Sequence, residues 1–336
     1  MDIAKPYLLF LGDVHDQLAA KTAMGVVDWR PEWCVGQMRL PGCKADTGLP
    51  DLSITEAAAK GAKTMVVGVV NAGGVLPDHW VTEIVAALEA GLDVATGLHK
   101  RLSSIPAIAA AAARHGRKLH DVRFSDINFT TGKGTKRPGM RLLTVGTDCS
   151  VGKKYTALAI DREMHKRGLS SDFRATGQTG VLISGRGIAL DAVVADFISG
   201  AAEWICPDNE PNHWDIVEGQ GSLFHPSFAG VTLGLLHGSQ PDAFVVCHEP
   251  TRATMRGVKH PLPTIQQVID RTIIEGQLTN PAIACIGIAI NTEHLSDEVA
   301  RTYLKETGEG HGLPCVDPIR TGVEPIIDEL IRRYGR

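Results

Sequence analysis

The sequence predicts an α/β protein with two domains, each built on a parallel sheet. Three observations carry that prediction. Short apolar runs alternate with helical segments along the chain, the pattern of strands buried on both faces by crossover helices. A glycine loop ending in lysine, Gly146 to Lys153, directly follows an apolar run and opens a helix. A polar stretch rich in Gly, Thr and Lys at 126–140 divides the 336 residues into two parts of ordinary domain size.

The first domain, 1–125, reads as Rossmann-like in a loose sense, and its elements follow in order. Tyr7 to Leu11 is a strand that ends at Gly12-Asp13. Lys21-Thr22 and Lys44-Ala45-Asp46-Thr47-Gly48 read as polar loops. Ser53 and Glu56 have capping-box spacing ahead of an Ala-rich helix, Ala57 to Lys60. Thr64 to Val70 is an apolar strand, followed by a turn at 71–74. Asp78 is placed to cap a helix whose Val81, Ile84, Val85 and Leu88 share one face. A strand at Leu92–Thr96 and a helix at Ile105–His115 complete the domain.

The second domain, 141–336, starts after the 126–140 connector and reads as P-loop NTPase-like. Its strands are Leu142–Val145, Ile216–Val217, Ala243–Cys247 and Ile283–Ile290. The helices between them include Thr156–Arg167, Ala189–Ala202 and Thr264–Glu275.

Composition narrows the function classes. Hydrophobic residues make up 43% and charged residues 21%, which suits a soluble globular enzyme. A net charge of −4 supplies no bulk attraction to nucleic acid or to anionic lipid, so any anion site must be a local basic cluster. The seven cysteines are scattered singly without a CxxC pair, which argues against a disulfide framework and for a reducing compartment. The N-terminal apolar run is too short for a signal peptide, and no segment reaches membrane-spanning length. A cytoplasmic protein is expected. The thirteen histidines include no HxxxH or HExxH pair, so no metal site is expected. No GxGxxG follows Leu11, which disfavours a nicotinamide dinucleotide.

In open parallel sheets, ligands bind at the carboxyl ends of strands. The loop Gly146, Thr147, Asp148, Cys149, Ser150, Val151, Gly152, Lys153 is the first such end. Its backbone N–H groups and the following helix dipole suit phosphate, and Lys153 adds charge. The alternative is a tight strand-to-helix turn. Lys154 stands where a Ser or Thr hydroxyl would hold Mg²⁺, so the loop suits phosphate binding better than Mg-dependent phosphoryl transfer. Cys149 packs the loop; a lowered pKa at the helix start would make it a nucleophile. Gln178 and Thr179, in Ala175–Gly180, suit an anion or polar ligand, or form surface turns. Glu218 ends an apolar strand among glycines and is a candidate general base, with Gln220 beside it. His248 is a second acid/base candidate, or a core-facing histidine. Arg252 and Arg256 form a basic cluster suited to carboxylates. Asn291 ends a strand where it reads an adenine edge or caps a helix.

Two resemblances rest on these motifs. GTDCSVGKK resembles the glycine loop of dethiobiotin synthetase and its P-loop relatives, GTDxxVGKT, and VEGQG at Val217–Gly221 resembles their VEGAG. The strand ending at Asn291 is similar to their adenine-reading strand. The whole chain, through GDVHD, GTDCSVGKKYTA, ATGQTG, VEGQGSL and CHEPTR, is more similar to a bacterial family long catalogued as of unknown function. That family joins a Rossmann-like domain to this P-loop domain, and its characterised members are D-glutamate N-acetyltransferases of D-amino-acid catabolism.

The resemblance implies acetyl-CoA as cosubstrate; given that cosubstrate, Gly146–Lys154 are expected to hold its phosphates and Asn291 to lie near its adenine, with no metal required. Glu218 is the first candidate for the base and His248 the second, and Arg252 with Arg256 would clamp a substrate carboxylate. Backbone N–H groups of Gly177–Gly180 or Gly219–Gly221 would face the developing oxyanion. Small-molecule substrates, no nucleic acid, no membrane and a homo-oligomer, most simply a dimer, are the expected partners. Two rival readings remain. One is an ATP- and Mg-dependent ligase or kinase in which Thr147 or Thr156 supplies the missing hydroxyl. The other is a non-catalytic nucleotide-binding sensor.

Overall fold

Parallel strands dominate both parts of the chain, as continuous apolar runs require: a run buried on both faces needs a helix on each side. The computed structural model describes residues 3–69 and 76–335. The predicted turn at 71–74 and the last residue of the predicted Thr64–Val70 strand lie outside the described residues. The chain divides into two units, 1–126 with 177–192, and 127–176 with 193–336.

In the first unit the elements are β1 (Tyr7–Gly12), α1 (Lys21–Trp29), β2 (Cys34–Arg39), α2 (Ile54–Ala59), β3 (Thr64–Val67), α3 (Asp78–Glu89), β4 (Asp93–Thr96), α4 (Pro106–His115) and β5 (Leu119–Asp121). They build a parallel sheet in the order β2-β1-β3-β4-β5. The Ser53–Glu56 capping box forms as predicted, with Glu56 N–H on Ser53 Oγ and Ser53 N–H on the Glu56 carboxylate. Two local expectations change. Lys21-Thr22 is not a loop but opens α1, with Thr22 buried. Asp78 is the first residue of α3 rather than its cap, which is Pro77. The 44–48 loop is pinned by Asp46, which accepts from Gln37 Nε2 at 2.8 Å and from Gly48 N–H at 2.7 Å.

The return of 177–192 to this unit was not predicted. Right-handed crossovers put α1 on one face of the sheet and α3 and α4 on the other, because β1→β2 and β3→β4→β5 run in opposite directions. Residues 178–184 form α6 (Gln178–Ser184), which packs on α1. Thr179 Oγ1 lies 3.3 Å from Thr22 Oγ1. A Cβ on Gly97 would lie 2.8 Å from Gln178 Cγ, so glycine is needed there for the close approach. Farther on, Arg123 pairs with Asp191 and lies 3.2 Å from His99 Nε2.

The second unit contains β6 (Met140–Gly146), α5 (Lys153–Lys166), β7 (Ser171–Arg174), α7 (Ile198–Ile205), β8 (Trp214–Val217), α8 (Ala229–Ser239), β9 (Ala243–His248), α9 (Ile265–Gly276), β10 (Ala284–Ile290), α10 (Asp297–His311), β11 (Cys315–Val316) and α11 (Glu324–Tyr334). Its parallel sheet runs β11-β10-β9-β6-β8-β7, so the strand feeding the glycine loop is central. The predicted helix at 189–202 breaks into 3-10 turns at Leu190–Ala192 and Ala195–Phe197 before α7.

The stretch read as a connector belongs to this unit from Ile127 onward. It is held by bonds rather than loose: Lys133 and Gly134 N–H donate to Glu203 Oε1, Lys136 to Asp242, and Arg137 to the Gly238 carbonyl. Fully buried Arg141 then donates to the carbonyls of Arg137, Pro138, Gly139 and Pro207, fixing the entry into β6. Among the described residues, no helix is long and apolar enough to cross a membrane.

Candidate active site

The carboxyl ends of β6, β8, β9 and β10 gather most of the predicted site residues. β6 ends at Gly146, in register with Cys247 of β9. The chain then turns through Thr147 and Asp148, both fully buried, and enters α5 through Gly152 at φ +100°. Ser150 has φ 54°, left-handed backbone that a serine adopts only under constraint. Lys153 is buried, and its Nζ donates to the Asp148 carbonyl at 2.6 Å. Burial pushes its amine pKa down. Among the described residues, the N–H groups of Ser150, Val151 and Gly152 meet no protein acceptor. Lys154 follows at the surface, 5.2 Å from the ring centre of Tyr155.

Glu218 follows β8 and is buried, and its N–H bonds to the Arg174 carbonyl. Its Oε2 accepts the Thr176 N–H at 3.0 Å, while the Thr176 hydroxyl donates to the Glu218 carbonyl. The hydroxyl of Thr176 also takes the side-chain amide of Gln220 at 3.0 Å. Thr176 therefore organises both Glu218 and Gln220, a role the sequence signalled only by the motif around it. Gly219 ties this loop to the phosphate loop. Its N–H donates to Thr144 Oγ1 at 2.9 Å, and a Cβ there would sit 1.7 Å from the Thr144 carbonyl oxygen and 3.0 Å from Lys153 Cδ.

His248 ends β9, its Nδ1 3.0 Å from Thr147 Oγ1 and its ring stacked on Tyr303 at 6.5 Å. Burial pushes its pKa below the ordinary value, so the ring is neutral at pH 7. Asn291 follows β10; its N–H bonds the His248 carbonyl and its Oδ1 accepts from Glu293 N–H at 3.0 Å, the local capping arrangement.

Several assignments are changed by these contacts. Arg252 donates to the Asp148 carboxylate and to the carbonyls of Cys149 and Ser150, so its guanidinium is committed to the glycine loop rather than to a substrate carboxylate. Exposed Arg256 donates through its backbone N–H to Asp148 and through its side chain to Ser150 Oγ. Burial pushes the Cys149 thiol up, against a nucleophilic thiolate. Thr147 Oγ1 lies against His248, and the Thr156 hydroxyl meets the Gly152 carbonyl and the Cys247 thiol. Gln178 and Thr179 sit in α6 with the first unit.

Asp148, Cys149 and His225 place potential metal-ligand atoms within 4.8 Å of one another. Asp148 and His225 are both hydrogen-bonded within the protein. Asp148 accepts from the N–H groups of Cys149 and Arg256 and from Arg252. His225 Nδ1 accepts from Ser227 N–H, which leaves the proton on Nε2 to donate to the Arg256 carbonyl at 3.0 Å. The cluster is a hydrogen-bonded hub beneath the loop.

A central parallel strand, a glycine loop and a buried lysine at a helix start define a P-loop α/β protein. The chain belongs to the family described as "Domain of unknown function (DUF1611_C) P-loop domain", which it matches over residues 128–327. Residues 38–125 match the companion "DUF1611_N" Rossmann-like domain. The chain is similar to a D-glutamate N-acetyltransferase of Tritonibacter scottomollicae, 53% identical over 98% of this chain and 99% of that one. A D-glutamate N-acetyltransferase of a Pseudoalteromonas species is 50% identical over 98% of this chain and 100% of that one. The crystal structure of a DUF1611 family protein from Anabaena variabilis superposes with a TM-score of 0.87 at 31% identity, covering 98% and 100% of the two chains.

Proposed function

We propose that this chain is a D-glutamate N-acetyltransferase that takes its acetyl group from acetyl-CoA, within D-amino-acid catabolism in the cytoplasm. The observation that carries the activity is the near full-length identity of 53% and 50% to two enzymes of that name. The acetyl-CoA reading is supported by the loop itself. Gly146–Lys154 offers N–H groups and buried Lys153 to phosphate, and lacks the hydroxyl that Mg²⁺ would use. No phosphoryl group moves in acetyl transfer, so no step calls for a metal.

An α-amine is protonated at pH 7 and must lose a proton before it attacks the thioester carbonyl. Glu218, held by Thr176 N–H, is our base; neutral His248 is the alternative. As the N–C bond forms, the carbonyl oxygen gains charge that N–H groups of Gly219–Gly221 would stabilise. The intermediate collapses with loss of the coenzyme A thiolate, which takes up a proton. Asn291 lies beside the adenine in this reading, and the enzyme is a homo-oligomer acting on small molecules alone.

Thiol release from acetyl-CoA by the pure protein, with D- or L-glutamate and without ATP or Mg²⁺, tests the proposal. Release with D-glutamate alone is expected. No release with either, together with nucleotide turnover on adding ATP and Mg²⁺, would replace it with the ligase or kinase reading.

A further inference from the structure

Arg252 donates three hydrogen bonds within the protein and ion-pairs through its Nε. Nη1 meets Asp148 Oδ2 at 3.1 Å and the Cys149 carbonyl at 2.8 Å; Nη2 meets the Ser150 carbonyl at 2.7 Å. Its Nε pairs with buried Glu249 at 2.9 Å, and Glu249 is braced in turn by Thr251 N–H at 2.7 Å. A planar fork with fixed donor directions meets these acceptors together; an ammonium, as a point charge, cannot.

The consequence lies in the peptide planes. In a trans peptide the C=O and N–H point in opposite directions. The carbonyls of Cys149 and Ser150 share their planes with the N–H groups of Ser150 and Val151. Fastening both carbonyls to one guanidinium therefore turns those two N–H groups to the other side, where they meet no protein acceptor among the described residues. The left-handed φ of Ser150 brings successive N–H groups into a concave arrangement that suits an anion. Glycine would adopt that backbone freely, but position 150 is serine, so an external constraint is needed.

We propose that Arg252 is a positioning residue for the anion nest at Ser150–Gly152, held by Glu249 and Asp148, and not a ligand of the substrate carboxylate. This rests on the reading that the loop takes the phosphates of acetyl-CoA. The mechanism predicts a particular division of effects. Loss of the fork weakens every ligand held through phosphate and leaves the amino-acid substrate untouched.

The test compares full-length wild type with Arg252→Lys, Arg252→Ala, Glu249→Gln and Lys153→Ala, each checked for a cooperative melt. Calorimetry reads binding of coenzyme A and of inorganic pyrophosphate, and kinetics read KM for D-glutamate at saturating acetyl-CoA. For Arg252→Lys we expect at least tenfold weaker coenzyme A and pyrophosphate binding with KM for D-glutamate within twofold of wild type. Glu249→Gln should show the same pattern more weakly, and it carries the test if Arg252→Lys does not fold. Millimolar guanidinium should restore part of the lost affinity in Arg252→Ala. A raised KM for D-glutamate with unchanged coenzyme A affinity would overturn the proposal and return Arg252 to the substrate. Should Lys153→Ala keep full coenzyme A affinity, the acetyl-CoA reading fails on its own. Pyrophosphate then decides Arg252 separately: weaker binding in Arg252→Lys upholds the nest, and equal binding overturns it.

Discussion

Lys153 donates its ammonium to the carbonyl of Asp148 at 2.6 Å, within its own loop and buried. A buried charge with one neutral acceptor is poorly compensated, which is why burial pushes its pKa down. An arriving phosphate supplies the missing counter-charge. Lys153→Met should thus weaken acetyl-CoA binding by about 10- to 100-fold, the worth of a charge-assisted hydrogen bond. The same change should raise the melting temperature of the unliganded protein. Binding to wild type should weaken as pH rises through the depressed amine pKa, and Lys153→Met should flatten that dependence. Calorimetry across pH 7 to about 9.5 reads both effects.

Glu218→Gln keeps an oxygen for the Thr176 N–H and so preserves the loop. It removes the proton acceptor. We expect kcat to fall by about 10²- to 10⁴-fold, the usual contribution of general base catalysis, with acetyl-CoA affinity nearly unchanged. A variant that retains wild-type turnover would transfer the role to His248.

Gly219→Ala places a methyl 1.7 Å from the Thr144 carbonyl oxygen, where backbone cannot yield cheaply. A loss of about 1–3 kcal/mol in urea unfolding is expected, the cost of overpacking, together with lower activity because Lys153 lies alongside. Gly168→Ala is the comparison. Its φ is +73° and nothing lies within 4 Å of the added Cβ, so only backbone strain of about 1 kcal/mol applies.

His248 and His120 are both held below the ordinary histidine pKa by burial. Between their folded values and 6.5 the unfolded chain binds more protons, so stability rises with pH through that window and is lost on acidification. The urea midpoint should drop from pH 7.5 to 5. His248→Gln should reduce the drop; an unchanged slope would show that this ring titrates alike in both states.

Residues 177–192 pack with the first unit, α6 against α1. A fragment of residues 1–126 alone should fail to melt cooperatively. The same fragment joined through a flexible linker to 177–192 should recover a transition in calorimetry. A cooperative melt of 1–126 by itself would show that the α1 face needs no further cover.

Much of this protein was legible along the chain, because the signals involved are local. Strand–loop–helix order, the Ser53 capping box, the glycine loop and the strand-end position of Glu218 all depend on residues within about one turn of each other. Such signals also set both sheets as parallel, since apolar runs buried on two faces leave no other arrangement. Tertiary structure decided the rest. Residues 177–192 join the first unit, held by contacts with α1 and Gly97 that lie far away in sequence. Arg252 appeared along the chain as a free cation, and its side chain instead reaches Asp148 across 104 residues to hold the phosphate loop. A charge's partner depends on distance in space, and that distance exists only once the strands are side by side.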